Sequence, residues 1–272
     1  MIRRTRRGGI ASFGYHEVTD DPAASGFQRP AAVPFKLTCS AFRRHLDAIA
    51  KERIPELITA IDPGDPRQHL VLTFDDGGQS GMYAADELAR RGWHGHFFVV
   101  TSRIGTAGFL TASDIRQLNR DGHIVGSHTH THPNFFRELA WDRMSDEWRI
   151  STDCLAQLLG QPVRSASIPG GDLSDRVVWS AMESGVEFLF TSEPTTQPVR
   201  IDATWVLGRF IPKVNTPAWR IRELAGFRGW ERAMAWRQIK LRVRALLPGL
   251  FHRYVQSRTV PLPRPTETSR VL

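Results

Sequence analysis

The 272-residue chain is 41% hydrophobic and 24% charged, the composition of an ordinary soluble globular protein long enough for one large domain. Its two cysteines, Cys39 and Cys154, are far apart and have no CxxC spacing, so neither a disulfide framework nor a cysteine-based zinc site is readable. The formal net charge of +8 sits in one place: residues 218–258 hold ten Arg or Lys against two Glu, and the remaining 26 basic groups meet 26 acidic ones.

The amino-terminal stretch MIRRTRRGGIASFGYH has a basic start with no apolar run behind it. It reads as neither a secretory signal nor a membrane span, and a cytoplasmic protein is expected. No later stretch approaches the ~20 apolar residues of a transmembrane helix. Short apolar, β-rich runs predict strands over Ile10–Tyr15, Leu70–Phe74, His96–Val100, Ile124–Ser127, Ser165–Ile168, Phe188–Thr191 and Val206–Phe210. Between them, helical patterns cover Cys39–Ile49, Met82–Arg91, Ala112–Arg120, Arg143–Leu159 and Ser174–Ser184. Thr111-Ala-Ser-Asp114 resembles a capping box with Asp in place of Glu, and Gly92, Gly122, Gly160 and Gly185 stand where left-handed C-caps are expected. Strands alternating with helices predict a parallel sheet, open or closed into a barrel. Pro and Gly thicken up to Pro217, which sets expected bounds of 1–217 for a catalytic domain, 218–258 for a basic amphipathic helical extension and 259–272 for a disordered, proline-containing tail without apolar periodicity.

Three clusters fall at strand ends, where α/β folds place their sites. Asp75 and Asp76 close the run His69–Phe74. Adjacent carboxylates repel one another when buried, and a divalent cation removes that difficulty; a plain strand-to-turn junction is the competing reading. His128, His130 and His132 follow Gly126-Ser127, and the spacing of four lets His128 and His132 converge on one ion if the chain turns helically there. His130 would then point away. Pro169-Gly170-Gly171 ends a third strand, and beside a metal the Gly170 N–H could serve as an oxyanion donor.

Together these residues resemble the polysaccharide deacetylases of carbohydrate esterase family 4. Thr73-Phe-Asp-Asp-Gly77 is similar to that family's first motif and His128-Thr-x-x-His132 to its second, with Leu159-Gly-Gln-Pro-Val163 and the Pro-Gly-Gly turn following in order. The resemblance spans roughly residues 9–214. It implies a distorted (β/α) barrel with fewer than eight regular strands, Asp75 as general base, and Asp76, His128 and His132 as ligands of a divalent metal. Zinc suits those ligands, and cobalt or nickel can substitute. The implied reaction is hydrolysis of an N-acetyl group on a sugar or glycan, releasing acetate. Two departures stand out: Ser167 occupies the place of a motif arginine, and the carboxy-terminal Leu-x-His of many members is missing. Ser12-Phe-Gly-Tyr-His16-Glu-Val is similar instead to the rearranged branch that includes poly-N-acetylglucosamine deacetylases, which makes His16 the expected general acid. The departures keep two other readings open, a catalytically silent carbohydrate-binding protein and a metal-dependent amidase acting on a non-sugar substrate.

In the basic extension, Trp236, Ile239, Val243, Leu246 and Leu247 share a helical stripe with Arg237, Lys240 and Arg244 beside it, after Trp219 and Trp230. Such a helix suits peripheral contact with the inner face of an anionic membrane through residues 219–258, and with it a lipid-linked sugar substrate. A helix packed on the barrel with a solvated basic face accounts for the same pattern. No nucleic-acid recognition motif accompanies the charge.

Overall fold

The structure, a computed structural model, describes residues 8–246 together with 249, 253 and 256–258. The tail expected at 259–272 lies outside the described residues, as do the side chains of Lys240, Val243, Arg244 and Leu247. In chain order the elements are β1 (Gly9–Tyr15), β2 (Glu17–Val18), β3 (Lys36–Leu37), α1 (Cys39–Ala50), β4 (Gln68–Phe74) and α2 (Gly81–Ala89). They continue as β5 (His96–Val99), α3 (Ala112–Arg120), β6 (Ile124–Ser127), α4 (Trp141–Leu159), β7 (Ser165–Ser167) and α5 (Asp175–Glu183). The last are β8 (Phe188–Phe190), β9 (Val199–Ile201), β10 (Thr204–Leu207), α6 (Ala218–Ala225) and α7 (Trp230–Leu246).

One eight-stranded sheet runs β1-β4-β5-β6-β7-β8-β10-β9, all neighbours parallel except the β10–β9 pair. Just beyond β10 the chain returns to β1 through a parallel bridge between Phe13 and Phe210. There the Gly14 N–H donates to the Phe210 carbonyl and the Phe210 N–H to that of Ser12, both at 2.9 Å. The sheet therefore curls back on itself as a distorted (β/α) barrel of seven parallel strands, with β9 an antiparallel addition at the edge. The strands β2 and β3 form a separate two-residue ladder.

Period-two alternation sorts the strand side chains. Ile10, Val71, Phe98, Phe190 and Leu207 form one small cluster inside the barrel, drawn from five different strands. Their neighbours Ala11, Phe13, Leu70, Leu72, Phe74, Phe97 and Val99 face outward into the main core against α1, α2, α3 and α6. A second outer core packs Ala166 and Leu189 against Trp148 of α4 and Val177 and Val178 of α5. The capping box forms as expected, with Thr111 accepting from the Asp114 N–H and Asp114 from the Thr111 N–H. Gly160 ends α4 at φ 70°, a left-handed cap that a Cβ would strain.

Candidate metal centre and pocket

The interior alternation continues past the strand ends and brings the candidate residues together. On β4 the inward positions Val71 and Thr73 lead to Asp75; on β1, Ser12 and Gly14 lead to His16; after β6, inward parity reaches His128. Since Tyr15 pairs with Phe74 in register and the Asp75 N–H donates to the Tyr15 carbonyl at 2.8 Å, His16 and Asp75 leave adjacent strands at the same end of the barrel. All of Asp75, Asp76, His16, His132 and Gly170 line one pocket of 780 Å³, a volume that holds a small ligand.

Asp76, His128 and His132 offer ligand atoms that all lie within 4.8 Å of one another. His128 Nε2 is 3.4 Å and His132 Nε2 3.6 Å from Asp76 Oδ1. His128 Nδ1 donates to the Ser167 carbonyl at 2.8 Å, which orients the ring and leaves Nε2 facing Asp76. Two imidazoles and one carboxylate converging from three directions are a donor set that fits a zinc-like divalent ion with open positions left over. One contact conflicts with an ion: an Arg29 N–H lies 3.2 Å from His132 Nδ1, the atom that carries the proton when Nε2 is a ligand. Arg29 must leave that position when a metal is held.

The histidines do not converge by a helical turn, as the spacing suggested. Residues 128–132 form a loop in which Thr129 (φ 64°) and His132 (φ 61°) are left-handed, and Asp76 is left-handed as well (φ 76°). Three of the five non-glycine residues with positive φ among the described residues thus belong to this one centre, each at a cost of about 1–3 kcal/mol. The strained loop is held from α4, where the buried Glu147 accepts from the Thr131 N–H and hydroxyl at 2.7 and 2.6 Å. His130 points away, with Nδ1 2.9 Å from the Thr101 hydroxyl.

Sequence reasoning missed Arg209. Inward parity after Leu207 turns its side chain into the barrel, where it is fully buried. Its guanidinium forks onto Asp75, at 2.7 Å to Oδ1 and 2.8 Å to Oδ2, and also donates to the Thr73 and Ser167 hydroxyls and the Thr191 carbonyl. Ser167 in turn donates to Asp75 Oδ2 at 3.1 Å. The serine at 167 is therefore complemented: the small side chain leaves the space that the guanidinium from position 209 fills. A lone Arg inside the apolar run Val206–Phe210 was the available signal, since a buried cation requires a partner.

Electrostatics follow from these contacts. Burial alone would raise the Asp75 carboxyl, but Arg209 and His128 hold it below its ordinary value. Burial opposes ionisation of Asp76 too, and the hydrogen bond from His128 with the charges of His16 and His132 outweighs it, keeping the group well below the usual range. Burial pushes His132 down to about 3, whereas the two carboxylates overcome burial at His128 and raise it. His16 is half-buried, stacks on Phe35 at 4.8 Å and has no hydrogen-bond partner for its buried Nδ1. Burial lowers its proton affinity against the pull of Asp76 and Asp75. Gly170 (φ 59°) lines the same pocket, with open space where a Cβ would stand.

The family model for polysaccharide deacetylase matches residues 62–189. An uncharacterized 30.6 kDa protein of Geobacillus stearothermophilus is 30% identical over 136 residues, 47% of this chain; the match spans about half (48%) of that relative's length. The fold is similar to a polysaccharide deacetylase from Bacillus cereus, with a TM-score of 0.66 and 18% identity over 80% of this chain and 69% of that one. It is equally similar to a de-N-acetylase from Aggregatibacter actinomycetemcomitans, with a TM-score of 0.65 and 18% identity over 79% of this chain and 99% of that one. Residues 62–189 are thus similar in sequence to the polysaccharide deacetylase family model, and the chain shares the distorted-barrel fold of these solved structures.

Proposed function

We propose that this chain is a metal-dependent hydrolase that removes N-acetyl groups from an N-acetylated sugar or glycan and releases acetate. The observation that carries the reading is that Asp75, Asp76, His132 and His16 line one pocket at the mouth of the barrel, with His128 grouped beside Asp76 and His132. Asp76, His128 and His132 would hold the ion, most suitably zinc with cobalt or nickel as substitutes, and the ion when bound supplies Lewis acidity and lowers the pKa of water.

The chain's own residues divide the remaining work. Asp75 takes the proton of the attacking water, and Arg209 keeps its carboxylate ionised and fixed in one orientation. Gly170 presents backbone on the pocket wall, where its N–H can meet the oxygen that gains charge in the tetrahedral intermediate. His16 gives a proton to the departing amine, and its lowered proton affinity makes its charged form a ready donor. Phe35 stacks on the ring and limits its rotation.

The test is acetate release from a panel of N-acetylated glycans by the purified chain, after chelation and after adding zinc, cobalt or nickel. Release that depends on the added metal supports the reading. Tight glycan binding with retained metal and no acetate would make the chain a silent carbohydrate-binding protein. Turnover of simple cyclic amides alone would move it to the amidases.

A further inference from the structure

The helix α7 presents two distinct faces. Its inner face is anchored: Trp230 is buried against Phe13, and its indole donates to the Leu224 carbonyl at 2.9 Å. Two turns on, Arg237 pairs with Glu193 at 2.8 Å and donates to the Gly171 carbonyl. The outer face runs Arg232, Ala235, Trp236, Ile239, Arg242 and Leu246, at the three- and four-residue spacing that stacks side chains along one side of a helix, and every one of these is exposed. Trp236, Ile239 and Leu246 are 66%, 51% and 78% exposed. Trp236 and the anchoring Arg237 also line the pocket that holds His16 and Asp75, so the apolar face adjoins the pocket mouth. The far end of the same segment returns to that mouth, where Arg258 accepts from the Ala31 N–H and donates to the Pro30 carbonyl.

We propose that the outer face of α7 docks the protein on an anionic lipid surface with the pocket mouth toward it, and that the N-acetylated sugar is presented there on a lipid carrier. The second half rests on the deacetylase reading; the first does not. Large apolar groups flanked by arginines match a bilayer interface, where rings and alkyl chains enter the acyl boundary and guanidinium groups stay among the headgroups. Charge complementarity points the same way, because residues 218–258 carry the whole net charge of the chain. A nucleic acid, by contrast, offers nothing to Ile239 and Leu246.

The test uses the full chain in sedimentation with vesicles of phosphatidylcholine alone and with about one-third phosphatidylglycerol. Binding to the anionic vesicles alone, weakened by salt, is expected. Arg232→Glu/Arg242→Glu should weaken it at least tenfold, given about fivefold for each charge lost near the surface. Ile239→Ser/Leu246→Ser should weaken it by a similar factor while thermal unfolding and metal content stay unchanged. A chain that stays in the supernatant, variants that bind as well as the parent, or a dimer that Ile239→Ser/Leu246→Ser converts to monomer would each overturn docking. For the carrier, acetate release is compared between an N-acetylglucosaminyl glycolipid in anionic vesicles and the same sugar on a short water-soluble glycoside. Faster turnover in vesicles, abolished as an advantage by Ile239→Ser/Leu246→Ser, is expected. Equal turnover of both overturns the carrier. Vesicle binding with turnover of neither leaves docking standing and removes the deacetylase reading.

Discussion

Arg209 and Asp75 meet inside the barrel as a buried bidentate pair, although 134 residues separate them in sequence. Removing the cation alone leaves a carboxylate in the interior with the Ser167 hydroxyl as its remaining side-chain hydrogen-bond donor. Arg209→Met is therefore expected to lower stability by about 3–5 kcal/mol and to raise the Asp75 pKa, whereas the double variant Arg209→Met/Asp75→Asn recovers most of the loss. Urea unfolding of the two variants checks this. A double variant no more stable than Arg209→Met would show that the ion pair is not the source of the effect.

The neighbours Asp75 and Asp76 should separate cleanly by experiment. Asp75→Asn keeps all three ligands and is expected to retain metal while losing turnover. Asp76→Ala, His128→Ala and His132→Ala each remove a ligand and should lose most of the bound ion. Elemental analysis of purified variants reads both outcomes, and full occupancy in His128→Ala and His132→Ala together would remove the ligand assignment.

His16→Ala should fold and hold metal yet lose roughly 10²–10⁴-fold in rate on an N-acetyl substrate, the usual worth of a general acid. On an activated aryl ester the loss should shrink, because a phenoxide departs with little help. Equal losses on both substrates would assign the effect to packing around Phe35 instead of proton transfer.

Stability should also fall on mild acidification, through His96. Its ring lies inside the barrel, with Nε2 accepting from the Ile58 N–H and Nδ1 donating to the Leu72 carbonyl. Burial pushes its pKa from 6.5 to about 4. A folded pKa below the unfolded one means that the unfolded chain binds the proton first. The contribution, about 3 kcal/mol at most, is present above pH 6.5 and is lost as the pH falls toward 4. Denaturant midpoints measured across that window should decline, and His96→Gln should flatten the decline.

Much of this was readable from the chain. Alternating apolar runs located the seven barrel strands to within a few residues, and Asp75-Asp76 and His128-x-x-x-His132 stood out because few structural roles require such polar groups at strand ends. What escaped was whatever depends on distant partners. Arg209 looked like one residue of an apolar strand until the closure between Phe13 and Phe210 turned it toward Asp75. Ser167 read as a loss because the guanidinium that takes over comes from another strand. The strands β2, β3 and β9 are two or three residues long, too short for periodicity to register. The spacing of His128 and His132 suited convergence through a helical turn, and the left-handed geometry at Thr129 that takes its place carries no signal in that residue type.

The left-handed backbone at Asp76, Thr129 and His132 sets chemistry against durability. Three such residues together cost several kcal/mol, a sum comparable with the whole net stability of an ordinary domain. A directed-evolution campaign that rewarded heat resistance and nothing else would gain most quickly by relaxing these positions, for instance with glycine. Its winners would be robust barrels in which Asp76, His128 and His132 no longer meet. Engineering of this protein therefore calls for a screen for metal binding at the proposed centre alongside melting temperature.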